Sequence, residues 1–188
     1  MNAFDSDNTL GADLRAMRKR RGKTLTELSD ALGRSVGWLS QVERNISEPS
    51  IGELRELSAA LDVPISLFFS QGSAAANEDG RIVRSDARRR IGGGEMGLVE
   101  ELLSPDLTDD FEMLRSVFKP GAKLNEMQQR DTTEVGYVIS GALQLWIADQ
   151  EYTLNAGDSF RLRGEAFRWE NQGTTDAVVI WVISPPVY

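Results

Sequence analysis

Neither cysteine nor histidine occurs anywhere in the 188 residues. Without thiols there is no disulfide and no cysteine nucleophile; without imidazoles there is no histidine general base, no zinc finger and no haem held through histidine. Aromatic residues make up only 7% of the chain, and no apolar run approaches the ~20 residues that cross a bilayer. The opening MNAFDSDNTL is polar and lacks the apolar core of a signal peptide. A cytoplasmic chain without a membrane segment is expected.

What is present is length for one or two domains with a real core. The net charge of −8 argues against indiscriminate nucleic-acid binding, yet the charge is uneven. Residues 1–70 carry nine basic and ten acidic side chains, so nearly all the excess lies further on. The basic groups of this first segment cluster as Arg15, Arg18, Lys19, Arg20, Arg21 and Lys23. Two readings stand: a solvated helix end favoured by the helix dipole, or a set of phosphate contacts.

Residues 24–45, TLTELSDALGRSVGWLSQVERN, organise the first half. Thr24 with Glu27 forms a capping box that opens a helix, Leu25, Leu28 and Leu32 give it an apolar face, and Gly33 ends it in a tight turn. Ser35 caps a second helix, in which Val36, Leu39 and Val42 form the buried stripe. Arg34, Gly37, Trp38, Gln41 and Arg44 are left on the outward face. Two short helices joined by a glycine turn, the second with a polar outer face, are the signature of a helix-turn-helix.

Around it, Leu10, Leu14 and Met17 stripe a preceding helix that ends near Gly22. Pro49-Ser50 with Glu53 starts a fourth helix, with Ile51, Leu54, Leu57 and Leu61 on its buried face. Pro64 opens a short fifth, closed by Leu67 and Phe68. Residues 71–80, QGSAAANEDG, have linker composition. Beyond them the helical period gives way to short alternating or β-branched runs, from RIVRS through VGYVISGALQLWIAD to AVVIWVIS, which reads as a β-sandwich or barrel.

The helical segment resembles the lambda-repressor-like, XRE-type family of bacterial regulators at Leu14, Arg15, Arg18, Arg21-Gly22, Thr24-Leu25, Leu28, Gly33, Leu39-Ser40, Glu43-Arg44, Pro49-Ser50 and Leu54. Ser29 stands where that family often has Ala and Asn45 where it often has Gly; Asn tolerates the left-handed turn that ends a helix. The second half resembles the cupin barrel. Gly121, Met127, Gln129, Glu134 and Gly141 hold the spacing of the first cupin motif, and Gly157-Asp158, Phe167 and Asn171 that of the second, with Arg163 in place of the usual Pro. Together the resemblances imply a two-domain α+β chain: an all-α five-helix DNA-binding domain (1–70), a linker (71–80), and an all-β double-stranded β-helix barrel (81–188).

A cupin metal site of the family pattern takes three His and one Glu. Met127, Gln129, Glu134 and Phe167 stand here instead: a soft thioether, a weak amide oxygen, one carboxylate and a phenyl ring that ligates nothing hard. No metal, no cofactor and no catalytic residue are therefore expected. A barrel without ligands still encloses space, so Met127, Gln129, Glu134, Arg161, Phe167 and Trp169 are candidates for binding a small polar metabolite. The alternative is that Met127 and Phe167 fill a closed core and Glu134 joins a structural ion pair.

For DNA, a third helix of about eleven residues spans roughly 16 Å, enough to lie in the major groove. Gln41 can pair with both N6 and N7 of adenine; Gly37 allows close approach; Ser40 can reach a base edge or a phosphate. Trp38 covers a thymine methyl, reaches a phosphate or packs on a neighbouring helix. Thr24, Arg34, Ser35 and Arg44 complete the candidate surface, the two arginines as phosphate contacts. The family resemblance implies that Arg18 and Glu43 form a structural ion pair. The expected function is a homodimeric regulator of a palindromic operator, a repressor of metabolic genes, with an effector-binding barrel. The rivals are a barrel with isomerase or lyase activity using Glu134 and an Arg, and a barrel that only dimerises.

Overall fold

A computed structural model describes residues 9–69, 78, 80–91 and 97–187. The chain divides into two compact units. The first takes in the residues up to Arg89 together with Pro105–Asp109; the second is Arg90–Ser104 with Asp110–Val187. Residues 81–89 and 105–109, which follow the 71–80 linker in sequence, thus cluster with the helices. The linker itself lies outside the described residues except for Glu78 and Gly80.

Among the described residues, four α-helices build the first unit: α1 (Leu10–Arg20), α2 (Leu25–Ala31), α3 (Val36–Glu43) and α4 (Ile51–Leu61). Each starts on a side-chain cap: Thr9, Thr24, Ser35 and Ser50 accept the N–H three residues on, satisfying a donor the helix cannot. Thr24–Glu27 and Ser50–Glu53 are full capping boxes. The expected fifth helix is a 3-10 turn, Ile65–Phe68, four residues long and without a side-chain cap. Leu14, Met17, Leu28, Leu39, Val42, Leu57, Leu61 and Leu67 form the core. Of the residues assigned to apolar stripes, Leu10, Leu25 and Leu32 are half-buried, and two are exposed: Val36 at 40% and Ile51 at 63%. Both are first residues of their helices, a turn before the face that packs.

The regular elements described in the second unit are antiparallel strands: β1 (Arg90–Ile91), β2 (Leu98–Leu102), β3 (Glu112–Phe118), β4 (Thr133–Ser140), β5 (Ala142–Ile147), β6 (Gln150–Asn155), β7 (Ser159–Arg163), β8 (Phe167–Glu170) and β9 (Ala177–Ser184). Six form one sheet in the order β1-β2-β3-β9-β4-β7, and three form another, β6-β5-β8. RIVRS, read as a strand, is turn and coil; the first strand starts only at Arg90. The sheets pack through aromatic rings: Phe118 of β3 meets Trp169 of β8 edge-on at 4.6 Å, and Trp181 of β9 lies 6.4 Å from Phe167 of β8, while within the larger sheet Trp181 meets Phe160 of β7 at 4.8 Å. Asn171 closes the second motif from a buried position, donating to the carbonyls of Phe118 and Thr175 and accepting from Gly173. Among the described residues, no helix is long and apolar enough to cross a membrane.

Candidate nucleic-acid interface and sheet interior

Gly33, whose φ of 63° a side chain resists and glycine adopts freely, turns the chain between α2 and α3. Leu39 and Val42 anchor α3 in the core, and its buried Glu43 receives Arg18 of α1: Nε to Oε1 at 2.6 Å and Nη2 to Oε2 at 2.9 Å. The same guanidinium donates to the Lys23 carbonyl at 2.8 Å, which ties the turn before α2 into the joint. A bidentate pair at this depth fixes the orientation of α3 against α1.

The opposite face of α3 is open. Gly37, Gln41 and Arg44 are exposed, and Trp38 and Ser40 are half-buried. Gln41 keeps its side chain outward while its carbonyl accepts from Ile46. Arg44 bends back to the Ser40 carbonyl at 3.1 Å. Ser35 spends its hydroxyl on the Trp38 N–H, and Thr24 spends its own on Glu27, so both serve as caps in this state. Arg34 is engaged too: its Nη2 is 3.1 Å from Glu53 and 4.0 Å from Glu56, both on α4, and the guanidinium lies 5.4 Å from the Trp38 ring centre. The helix has eight residues, about 12 Å, shorter than the expected eleven but still several base pairs long.

The basic cluster at the end of α1 splits by role. Arg18 is in the ion pair, Arg21 donates to the Leu61 and Asp62 carbonyls at the end of α4, and Arg20 donates to the Asp109 carbonyl. Arg15 and Lys19 are exposed. Sequence reading missed a further buried contact in this unit. Asp13 of α1, 1% exposed, accepts from Arg89 at 2.5 Å and from the Leu107 N–H at 3.1 Å. Burial pushes the Asp13 carboxyl above its ordinary value, with Arg89 pulling the other way. An Asp in the first turn of a helix reads as an ordinary dipole partner, and no local signal announces so distant a ligand.

In the second unit the candidate effector residues separate. Glu134, Phe167 and Trp169 are 1%, 3% and 5% exposed and point into the shared core. Met127, Gln129 and Arg161 do not: Met127 is 43% exposed, Gln129 is exposed with its amide on the Gly164 carbonyl, and Arg161 alternates outward beside buried Leu162. On β7 an inward Leu162 forces its neighbours Arg161 and Arg163 to the other face. Glu134 accepts from Thr132 at 2.8 Å, and Arg130 lies 3.9 Å from the same oxygen and 6.0 Å over the Phe167 ring. Arg168 stacks on Trp146 at 3.6 Å. The four metal-motif positions therefore offer one carboxylate, already hydrogen-bonded, beside a buried phenyl ring and two exposed side chains, a set that does not fit a divalent ion. Among the described residues no group of three or more His, Cys, Asp or Glu side chains is placed to hold one elsewhere.

Comparison with known proteins matches both halves. Residues 14–68 fit the family model described as helix-turn-helix, and residues 114–183 the one described as cupin domain. The HTH-type transcriptional regulator SutR of Escherichia coli is 27% identical over 157 residues, 83% of each chain. The transcriptional regulator ClgR of Mycobacterium tuberculosis is 33% identical over 84 residues, 45% of this chain and 75% of that one. The crystal structure of an HTH_3 family transcriptional regulator from Vibrio cholerae is 20% identical, covering 95% of this chain and 96% of that one, with a TM-score of 0.46. The chain belongs to the XRE-type helix-turn-helix transcriptional regulators, DNA-binding proteins, and carries a cupin domain behind its helix-turn-helix.

Proposed function

We propose that the protein is a cytoplasmic, homodimeric repressor of metabolic genes, that α3 reads base edges in the major groove of a palindromic operator, and that the nine strands close as a non-catalytic cupin barrel. The observation that carries the reading is the outward face of α3, where Gly37, Trp38, Ser40 and Gln41 are solvent-accessible on a helix locked from behind by Arg18–Glu43. A side-chain amide at an exposed recognition position suits adenine, and small neighbours let the backbone approach. Exposed Arg15, Lys19 and Arg44 suit phosphates, and Thr24 and Ser35 cap helix N-termini, whose dipoles favour the same anions.

Dimerisation is supported by the outer face of the six-stranded sheet. Met113 of β3, Val182 of β9 and Val135 of β4 form one row across three strands, with Tyr137 and Ile139 further along β4. All five are between 36% and 51% exposed, an apolar strip of the kind a second copy covers. For a small polar effector, Glu134, with Thr132 and Arg130 at its carboxylate, is the buried candidate that carries charge. A barrel that only dimerises is the second reading, favoured by the aromatic rings that pack against one another in the unit, Phe160 and Phe167 against Trp181.

The test is selection of duplexes from a random pool by the purified full chain. A palindromic sequence should emerge, and Gln41→Ala should lose roughly 1–3 kcal/mol at one base position per half-site. Equal weakening on every duplex would remove Gln41 from base readout.

A further inference from the structure

The contacts of Arg34 set it apart from the other cations near the interface. It immediately precedes the Ser35 cap of α3, yet its guanidinium is directed to α4, where Glu53 at 3.1 Å and Glu56 at 4.0 Å take its charge. Glu53 is itself fixed. One carboxylate oxygen holds the Ser50 N–H and hydroxyl in the capping box, and the other faces Arg34. The pinned guanidinium lies over Trp38, 5.4 Å from the ring centre. A planar cation held against an indole face limits the rotamers open to that indole. Trp38 is the largest side chain on the candidate reading face, half-buried and three positions before Gln41.

We propose that Arg34 is a positioning residue for sequence readout, acting through Trp38, and that the acidic pair Glu53 and Glu56 withholds it from the phosphate backbone. The acids trade a non-specific contact for a specific one. A free arginine at this edge would strengthen binding to any duplex, whereas a clamped arginine fixes the indole that meets one base step. The proposal rests on α3 being the recognition helix.

The experiment measures affinity against salt for the full chain on two probes, a duplex selected from the random pool and a scrambled duplex of the same composition. Arg34→Ala should weaken the selected duplex about fivefold, the scale of one cation–π contact, and leave the scrambled duplex and the salt dependence unchanged. In a Trp38→Ala background the same change should have no further effect. Glu53→Gln combined with Glu56→Gln keeps the capping box, which accepts Gln at position 53, and frees the guanidinium; it should tighten the scrambled duplex, steepen its salt dependence by about 0.9 per phosphate gained, and narrow the selected-to-scrambled ratio.

If Arg34→Ala weakens both duplexes equally and flattens the salt dependence by about 0.9, Arg34 is a phosphate ligand and the proposal fails. Additive Arg34 and Trp38 effects overturn it as well. The double change Glu53→Gln with Glu56→Gln examines the same clamp should Arg34→Ala not fold, and an unchanged ratio there is equally fatal. Gln41→Ala separates the two readings. If it and Trp38→Ala both leave the selected-to-scrambled ratio intact, the recognition-helix assignment has failed; if either narrows the ratio while Arg34→Ala does not, only the role of Arg34 has failed.

Discussion

Asn45 ends α3 and begins the hold on α1: its Oδ1 accepts the Gly11 N–H at 2.9 Å, and its Nδ2 donates to the Thr9 hydroxyl at 2.6 Å. Its φ of 56° is the left-handed conformation that ends a helix. The backbones come close enough that a Cβ on Gly11 would sit 2.4 Å from the Val42 carbonyl oxygen. Glycine at 45 would satisfy the turn but make neither side-chain bond. Asn45→Gly should therefore cost about 1–2 kcal/mol, two ordinary hydrogen bonds less the relief of left-handed strain. Gly11→Ala should cost about 1–3 kcal/mol, because the atom it meets is backbone and cannot swing aside. Urea unfolding checks both, and a Gly11→Ala protein as stable as the parent would show that α1 and α3 can separate freely.

The two capping boxes give the helical unit an acid limb. The Thr24 N–H and hydroxyl hold the Glu27 carboxyl below its ordinary value near 4.5, and the corresponding groups of Ser50 do the same for Glu53, helped by Arg34. A carboxyl depressed on folding binds fewer protons in the native state, so its stabilisation is complete above the unfolded value and is lost as pH falls through the folded one. Helicity at α2 and α4 should accordingly weaken below about pH 4.5, the ordinary carboxylate value. Glu27→Gln should remove its share of that pH dependence while keeping the box geometry. Circular dichroism melts between pH 3 and 7 measure it; an unchanged slope in Glu27→Gln would assign the acid limb to other groups.

These caps were legible in the sequence because they are local. Thr24-x-x-Glu27 and Ser50-x-x-Glu53 are read within four residues, and alternation along β4 and β9 is read within eight. Position in the fold is less legible. Val36 and Ile51 keep helical spacing with their stripes, yet sit one turn before the packed face. Arg161 lies near Phe167 in sequence, but the phase of β7 is set by Leu162, which turns the arginine outward. The partners of Asn45, Arg34 and Asp13 lie between 19 and 94 residues away, and no motif specifies which distant group a side chain will meet. The ion pair of Arg18 and Glu43, implied by family resemblance, is formed.

Glu134 offers a test of whether the interior is a site or a core. It is 1% exposed, takes the Thr132 hydroxyl at 2.8 Å and has Arg130 at 3.9 Å. Glu134→Gln preserves an acceptor for Thr132 and removes only the charge, so the melting free energy should change by less than about 1.5 kcal/mol, the value of one hydrogen bond. Glu134→Leu strands the hydroxyl and should cost about 1–3 kcal/mol. Thermal denaturation with a metabolite panel checks both. A compound that raises the melting temperature of the parent and not of Glu134→Gln marks the interior as the effector site, whereas collapse of Glu134→Gln alone makes the carboxylate structural.

The longest-range tie within the helical unit yields the largest expected effect. Asp13 accepts from Arg89 through one oxygen and from the Leu107 N–H through the other, while Arg89 also donates to the Leu67 carbonyl at 3.2 Å. One buried carboxylate thus joins α1, the segment ending at Arg89 and the segment Pro105–Asp109. Desolvating two charges is costly, so the pair contributes little when compared with apolar side chains of the same size, but losing one member leaves the other without its countercharge. Asp13→Asn should therefore cost about 3–5 kcal/mol, whereas the double change Asp13→Leu with Arg89→Met should cost much less. Hydrogen exchange adds a local readout: the Leu107 amide should lose protection in Asp13→Asn before the amides of α3 do. A cost below about 1 kcal/mol, the range of an exposed pair, would mean that water reaches this carboxylate and that residues 81–89 and 105–109 are held to α1 by other contacts.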